Sequence, residues 1–239
     1  MNRKIYLHEI VKIHKDNRAN YFEHMSVKWA PAMKERDQKL FGNFNIFTSL
    51  SKWPYVLNLW EYDGWKGIAG AFDFETSNPA TFRDPFFAEW SKTAYNYRRE
   101  GEDRVLIPAH YAPTIDELVG SGNIGHKLYY HETVDLRPGT AKAYLELVEK
   151  EWLPQAKALG MGLIGAYRTS GRKDSEAILI WSLRDWAQWG SLEEAHDSSE
   201  TMAAWNRRTD GMALNWRREV LMAAPQAPIR TGRHLADLV

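Results

Sequence analysis

An α+β fold made of two tandem copies of one unit is predicted by three observations in this sequence. The strand-like stretch KIYLHEIV (residues 4–11) returns 123 positions later as KLYYHETV (residues 127–134). The likeness continues without a gap, so that Tyr21, Trp29, Pro31, Lys34 and Gly42 meet Tyr144, Trp152, Pro154, Lys157 and Gly165. The offset then falls to 121, where Trp60 and Trp65 meet Trp181 and Trp186, and to 115, where Trp90 meets Trp205 and VLIPAHYAP (105–113) meets VLMAAPQAP (220–228). Self-similarity at fixed spacing marks a repeated structural unit.

Each copy reads as the same series of elements. IYLHEIVKI alternates as a strand, with Ile5, Leu7, Val11 and Ile13 on one face and Tyr6, His8 and Ile10 on the other. A helix follows, marked by Phe22, Met25, Trp29 and Met33 in the first copy and by Leu145, Val148 and Trp152 in the second. Pro31 and Pro154 should kink these helices or end their first part. NFNIFTSL with WPYVLNLWEYDGW, and AYRTS with EAILIWSLRDWAQW, read as hairpins. Second helices are expected over 85–99 and 201–216, and short final strands at VLIPAH and VLMAA. Strand, helix, strand, strand, helix, strand is the ferredoxin-like split βαβ order. One such sheet leaves a face bare, and a second unit can cover it. The expectation is a pseudosymmetric dimeric α/β barrel within one chain, with a cavity between the sheets: residues 1–113, a linker over 114–126, and residues 127–239.

The chain has 239 residues, enough for ordinary cores. Lys+Arg and Asp+Glu are equal at 31 each, so no net charge steers it toward nucleic acid. Cysteine is absent, which excludes disulfides, thiolate nucleophiles and Cys-ligated metals. No apolar run reads as a signal peptide or membrane span, and a cytoplasmic location is expected. The 11 Trp, 11 Tyr and 9 Phe suit a core and equally the walls of an apolar pocket.

The stretch LYYHETVDLRPGTAKAYLELVEKEWLP, with GLIGAYR after it, resembles the NIPSNAP family of dimeric α/β barrel domains. That family's first strand, Tyr-Glu-Leu-Arg-x-Tyr-x-Leu-x-Pro-Gly, is matched by Tyr129, Leu136, Pro138 and Gly139, and VLIPAHYAP resembles its close. His131 and Glu132 stand where the family has Leu and Arg, and the first copy has Lys15 and Asp16 in place of Pro-Gly. The resemblance implies the barrel fold. It leaves function open, because related barrels host monooxygenases, isomerases, lyases and haem enzymes.

Candidate chemistry rests on His and Tyr. His8 and His131 each share a strand face with a tyrosine two residues away, Tyr6 and Tyr129, a pairing suited to proton transfer near neutral pH. Buried structural histidines are the competing reading. Glu9 and Glu132 fall on the opposite face, where a carboxylate needs a partner; a neighbouring Lys or Arg is the simple expectation, and a bulge would turn either toward the histidines, which keeps Glu132 among the catalytic candidates as an acid or base. His110 and Tyr111 have no counterparts in the second copy, which makes His110 the leading single catalytic candidate. His24, opposite Leu147, is expected to face solvent. Phe44, Trp60, Tyr167 and Trp181 recur at matched positions and would form substrate-binding walls or core, and Tyr111 is expected to join the substrate-binding wall. Asp63 and Asp185 read as helix caps. No phosphate loop, nucleotide fingerprint, serine elbow or metal-binding helix motif is present.

These readings point to a cofactor-independent lyase or isomerase acting by acid–base catalysis on a small hydrophobic molecule, such as a terpenoid, an aromatic or an epoxide, with no metal. The alternatives are a cofactor-free or haem-dependent monooxygenase of the same fold, and a non-catalytic binding or scaffold protein. Homo-oligomerisation is left open.

Overall fold

A computed structural model describes residues 1–34, 36–47, 52–77 and 85–233. In chain order the first copy gives β1 (Ile5–Ile13), α1 (Arg18–Glu23), a π-helical turn (His24–Trp29), α2 (Ala30–Lys34), β2 (Gln38–Ile46), β3 (Tyr55–Tyr62), α3 (Gly64–Ser77), α4 (Pro85–Ala94) and β4 (Arg98–Pro108). After α5 (Ile115–Ser121) the second copy repeats the series. It comprises β5 (Leu128–Leu136), α6 (Ala141–Leu147), a π turn (Val148–Trp152), α7 (Leu153–Ala158), β6 (Gly162–Thr169), β7 (Glu176–Leu183), α8 (Trp186–Ser198), α9 (Glu200–Thr209) and β8 (Ala213–Ala223), with α10 (Pro228–Thr231) at the end.

The chain divides into two compact units: a first unit of residues 3–105 with the segment from Ala223 onward, and a second unit of residues 1–2 and 106–222. Strands follow one another as β4-β1-β3-β2 in the first and β8-β5-β7-β6 in the second. β1 pairs with β3 in unbroken antiparallel register from Ile5↔Tyr62 to Lys12↔Tyr55. β5 pairs in the same way with β7, from Leu128↔Leu183 to Asp135↔Glu176. β4 and β8 each begin in one unit and end in the other, and the hydrogen-bonded order of the eight strands closes on itself as a barrel.

Several elements differ from the sequence reading. α3 and α8 were anticipated only by the reading of Asp63 and Asp185 as caps; they begin at the ends of the Trp-rich stretches that hold β3 and β7 and run on where exposed and polar residues blur any apolar stripe. β4 and β8 have 11 residues each, because the charged segments RREGED and NWRRE continue the strands through largely exposed positions. The segment joining the copies holds α5, closed at its start by a capping box between Thr114 and Glu117. Pro31 and Pro154 lie inside α2 and α7, each just after a π turn. Proline lacks an N–H and crowds the carbonyl four residues back, and widening that turn absorbs both.

Gly42 and Gly165 sit at matching register shifts in β2 and β6. A Cβ on Gly42 would meet the Phe44 ring at 2.9 Å, and one on Gly165 would strike the Tyr167 ring. The aromatic two residues on therefore lies over each glycine. Asp185 caps α8 by accepting from the Gln188 N–H at 2.8 Å, whereas Asp63 lies 3.4 Å from the Lys4 ammonium.

Candidate functional site

The unbroken register of β1 settles its two faces. Tyr6 and His8 point to one side and are fully buried, the Tyr6 hydroxyl donating to Glu61 at 2.9 Å. Tyr129 and His131 repeat this in β5, where His131 Nδ1 lies 3.2 Å from Glu219 Oε2. Neither of the matched cavities described next is lined by these four residues. Phe44, Trp60, Tyr167 and Trp181 are fully buried as well, so their rings are core. The two indole nitrogens nevertheless reach the site.

That site is on the opposite face of β1. In the first unit Glu9 lines a cavity of about 340 Å³ with Trp90, Tyr95, Arg98 and Asp103. Its Oε2 accepts from Trp60 Nε1 at 2.6 Å and from Asn58 Nδ2 at 3.2 Å. Asn58 Nδ2 also donates to the Tyr21 hydroxyl at 2.6 Å, and Asn58 Oδ1 accepts from Asn43 Nδ2 at 3.1 Å. Asn43 in turn accepts from Ser26 at 2.7 Å. A buried polar chain from helix to strand thus orients one carboxylate. Burial, and the like charge of Asp103, push the Glu9 carboxyl above its ordinary value against the bonds from Trp60 and Asn58 and the field of Arg98. Asp103 is raised by its own burial, with Arg98 opposing. A carboxylate whose proton affinity is raised toward the working pH is suited to act as a base.

The second unit places Glu132 at the same point and pairs it with a cation. Trp181 Nε1 donates at 3.0 Å, as Trp60 does to Glu9, but Arg218 also donates to Oε1 through Nε at 3.0 Å and Nη2 at 2.7 Å. Arg218 stands at the position that matches Asp103 at the offset of 115. Behind the carboxylate, Leu179 pairs with Ala166 where Asn58 pairs with Asn43. The expected cationic partner therefore exists for Glu132, whereas Glu9 has two aligned donors and a facing acid.

His24 is a correction. It is 3% exposed, stacked on Trp90 at 5.4 Å and 13°, where the sequence reading had it in solvent. Burial and the nearby Arg98 lower its pKa to about 4, so it is a neutral imidazole at pH 7. The helix at this point turns its histidine inward against the aromatic cluster formed by Trp29, Trp90 and Phe87. His110 is 54% exposed, with Nε2 3.1 Å from Glu149 Oε1, and the Tyr111 hydroxyl donates to the Leu145 carbonyl at 2.8 Å. Both line a separate cavity with Lys142 and Arg168. Among the described residues no group of three or more His, Asp or Glu side chains is arranged to hold a metal ion, and no helix is long and apolar enough to cross a membrane.

Asn43, Asn58 and Asp103 escaped the sequence reading. Their signal was the mismatch itself, since at the offsets of 123, 121 and 115 they face Ala166, Leu179 and Arg218.

No protein-family model matches the chain, and no curated protein matches it in sequence. Solved structures do match. A "putative monooxygenase" from Lactobacillus acidophilus aligns over 93% of this chain and 94% of its own, with 11% identity and a TM-score of 0.59. An anthrone oxidase-like protein aligns over 93% and 92%, with 10% identity and a TM-score of 0.63. A NIPSNAP-like domain protein from Burkholderia xenovorans spans 48% of this chain and 92% of its own, with 16% identity and a TM-score of 0.38. The two full-length matches share the mixed α/β barrel fold of this chain, and the structures that match include NIPSNAP-family domains.

Proposed function

We propose that the Glu9 cavity binds a small aromatic molecule bearing an acidic C–H and oxidises it with molecular oxygen, without a cofactor. The observation that carries this reading is the Glu9 carboxyl, raised by burial and by Asp103 yet held by Trp60 and Asn58 at a cavity wall. Tandem ferredoxin-like units supply the frame, each sheet order β4-β1-β3-β2 and β8-β5-β7-β6 agreeing with a split βαβ repeat.

The chemistry uses this chain's own groups. Glu9 takes the proton from a CH₂ activated by flanking rings and a carbonyl. The carbanion reduces O₂, and the two combine at carbon as a peroxide, which is protonated by the Glu9 carboxyl. Loss of water leaves a ketone, so CH₂ plus O₂ gives C=O plus H₂O. Trp90 and Tyr95 hold the ring, and the Ser26–Asn43–Asn58 chain keeps Glu9 in place. The same proton transfer would serve a lyase or isomerase; the full-length likeness to structures described as "putative monooxygenase" and "anthrone oxidase-like" favours oxygenation.

An oxygen electrode tests the reading, with anthrone as the probe. The expected result is one O₂ consumed per ketone formed by a protein lacking a Soret band, with turnover lost in Glu9→Gln. Conversion of the probe without O₂ uptake would return the lyase or isomerase reading. A Soret band that tracks activity would point to haem, and no conversion of the probe would overturn the proposal.

A further inference from the structure

The second unit carries its own cavity, of about 250 Å³, at the place that matches the Glu9 cavity. Its aromatic wall is the Trp152–Trp205 stack, at 5.4 Å and 25°, which repeats the Trp29–Trp90 pair of the first unit. Its charge is different. Along β4 the first cavity presents Arg98, Arg99, Glu100 and Asp103; along β8 the matching positions are Ala213, Leu214, Asn215 and Arg218. Arg218 is itself neutralised by Glu132, and it is sandwiched against Tyr130 at 4.1 Å and Trp216 at 4.4 Å. On the same Trp216 lies the ring of His196, at 5.9 Å and 7°.

Two further details point to an occupant. His196 lines the cavity, and its Nδ1 is buried without a hydrogen-bond partner among the described residues. Leu214 and Trp216, also on the lining, are 62% and 41% exposed, large apolar side chains left open to water. A buried polar atom without a partner costs free energy that a ligand's hydrogen bond recovers.

We propose that this cavity is a second binding site, one that holds a small uncharged planar aromatic between indoles and engages its hydroxyl with His196, without chemistry. Glu132 has both oxygens occupied by Arg218 and Trp181, so the carboxylate that matches Glu9 is not free to act on the ligand. A carboxylate or ammonium group on the ligand gains little here, because the buried ions described on this lining, Glu132 and Arg218, are already paired with one another. The inference does not depend on the reaction assigned to Glu9.

Isothermal titration calorimetry with 2-naphthol tests it on the whole chain. Wild type should bind two equivalents, Trp205→Leu one, and Trp90→Leu one. Asn206→Trp, which places bulk at the exposed rim, should lose the same equivalent as Trp205→Leu and guards against a folding defect. His196→Phe should weaken 2-naphthol at this site about 3- to 10-fold, the worth of one hydrogen bond, and leave naphthalene unchanged. If both equivalents survive in Trp205→Leu and Asn206→Trp, the second site is refuted while the Glu9 reading stands. If the lost equivalent binds 2-naphthoate as tightly as 2-naphthol, the assignment to uncharged ligands is wrong. Loss of binding in Trp90→Leu alone, with one equivalent in wild type, confines binding to the Glu9 cavity.

Discussion

The indole N–H of Trp60 donates to the Glu9 carboxylate at 2.6 Å across the β1–β3 pair. This bond stabilises the charged carboxylate, whereas Asp103 opposes it. Two substitutions should therefore move the acidic limb of a kcat/KM profile in opposite directions. Trp60→Phe removes the donor, raises the Glu9 pKa further and carries the limb to higher pH. Asp103→Asn removes the like charge and carries it to lower pH. Shifts of the same sign in both variants would mean that another group controls the limb.

Glu9 should also leave a mark on stability. Its folded pKa lies above the ordinary carboxylate value, so between the two the folded state holds more protons than the unfolded one. Stability contributed by this group is present at low pH and declines as pH rises through the folded pKa. Urea unfolding of wild type and Glu9→Gln across that window should show the variant losing this negative slope. Parallel pH dependences would remove Glu9 as its source.

His24 acts with the opposite sign. Its pKa falls from 6.5 to about 4 on folding, so the unfolded chain takes up a proton that the folded chain refuses. The stabilising preference for neutral His24 is full above 6.5 and is lost as pH falls toward 4. His24→Leu, which installs the residue found at the matching position 147, should unfold at lower pH than wild type. An unchanged acid midpoint by circular dichroism would contradict the burial of a neutral imidazole here.

The Glu132–Arg218 pair should be structural. Arg218→Ala leaves a buried carboxylate without its cation and should cost about 3–5 kcal/mol of stability. Replacing both, as Glu132→Leu with Arg218→Met, should recover most of that loss, because the uncompensated charge is gone. Chemical denaturation measures both, and a double variant no better than the single one would argue against the pair.

Much of this architecture was legible because the two halves of the sequence print it twice. Tyr6, His8 and Glu9 against Tyr129, His131 and Glu132 fixed β1 and β5 and the opposite facing of histidine and glutamate. What the apolar pattern did not carry was lost: α3 and α8 carry no clean stripe, and β4 and β8 run through exposed charged residues. The site was hidden for a related reason. Likeness between halves drew attention to His8, His131 and the unmatched His110, whereas the polar chain behind Glu9 shows only where Asn43, Asn58 and Asp103 replace apolar or cationic residues of the other half. His24 misled because an imidazole on a helix reads as polar, and nothing in its neighbourhood announces that Trp90, far along the chain, covers it.

The central claim is that one of two matched carboxylates works and the other does not. Oxidation of anthrone by Glu9→Gln and Glu132→Gln, each compared with wild type at a temperature where both are folded, tests it most directly. The account predicts that Glu9→Gln loses about 10²–10⁴-fold in kcat while Glu132→Gln keeps the wild-type rate. Equal losses in the two, or a Glu9→Gln enzyme as fast as wild type, would contradict it.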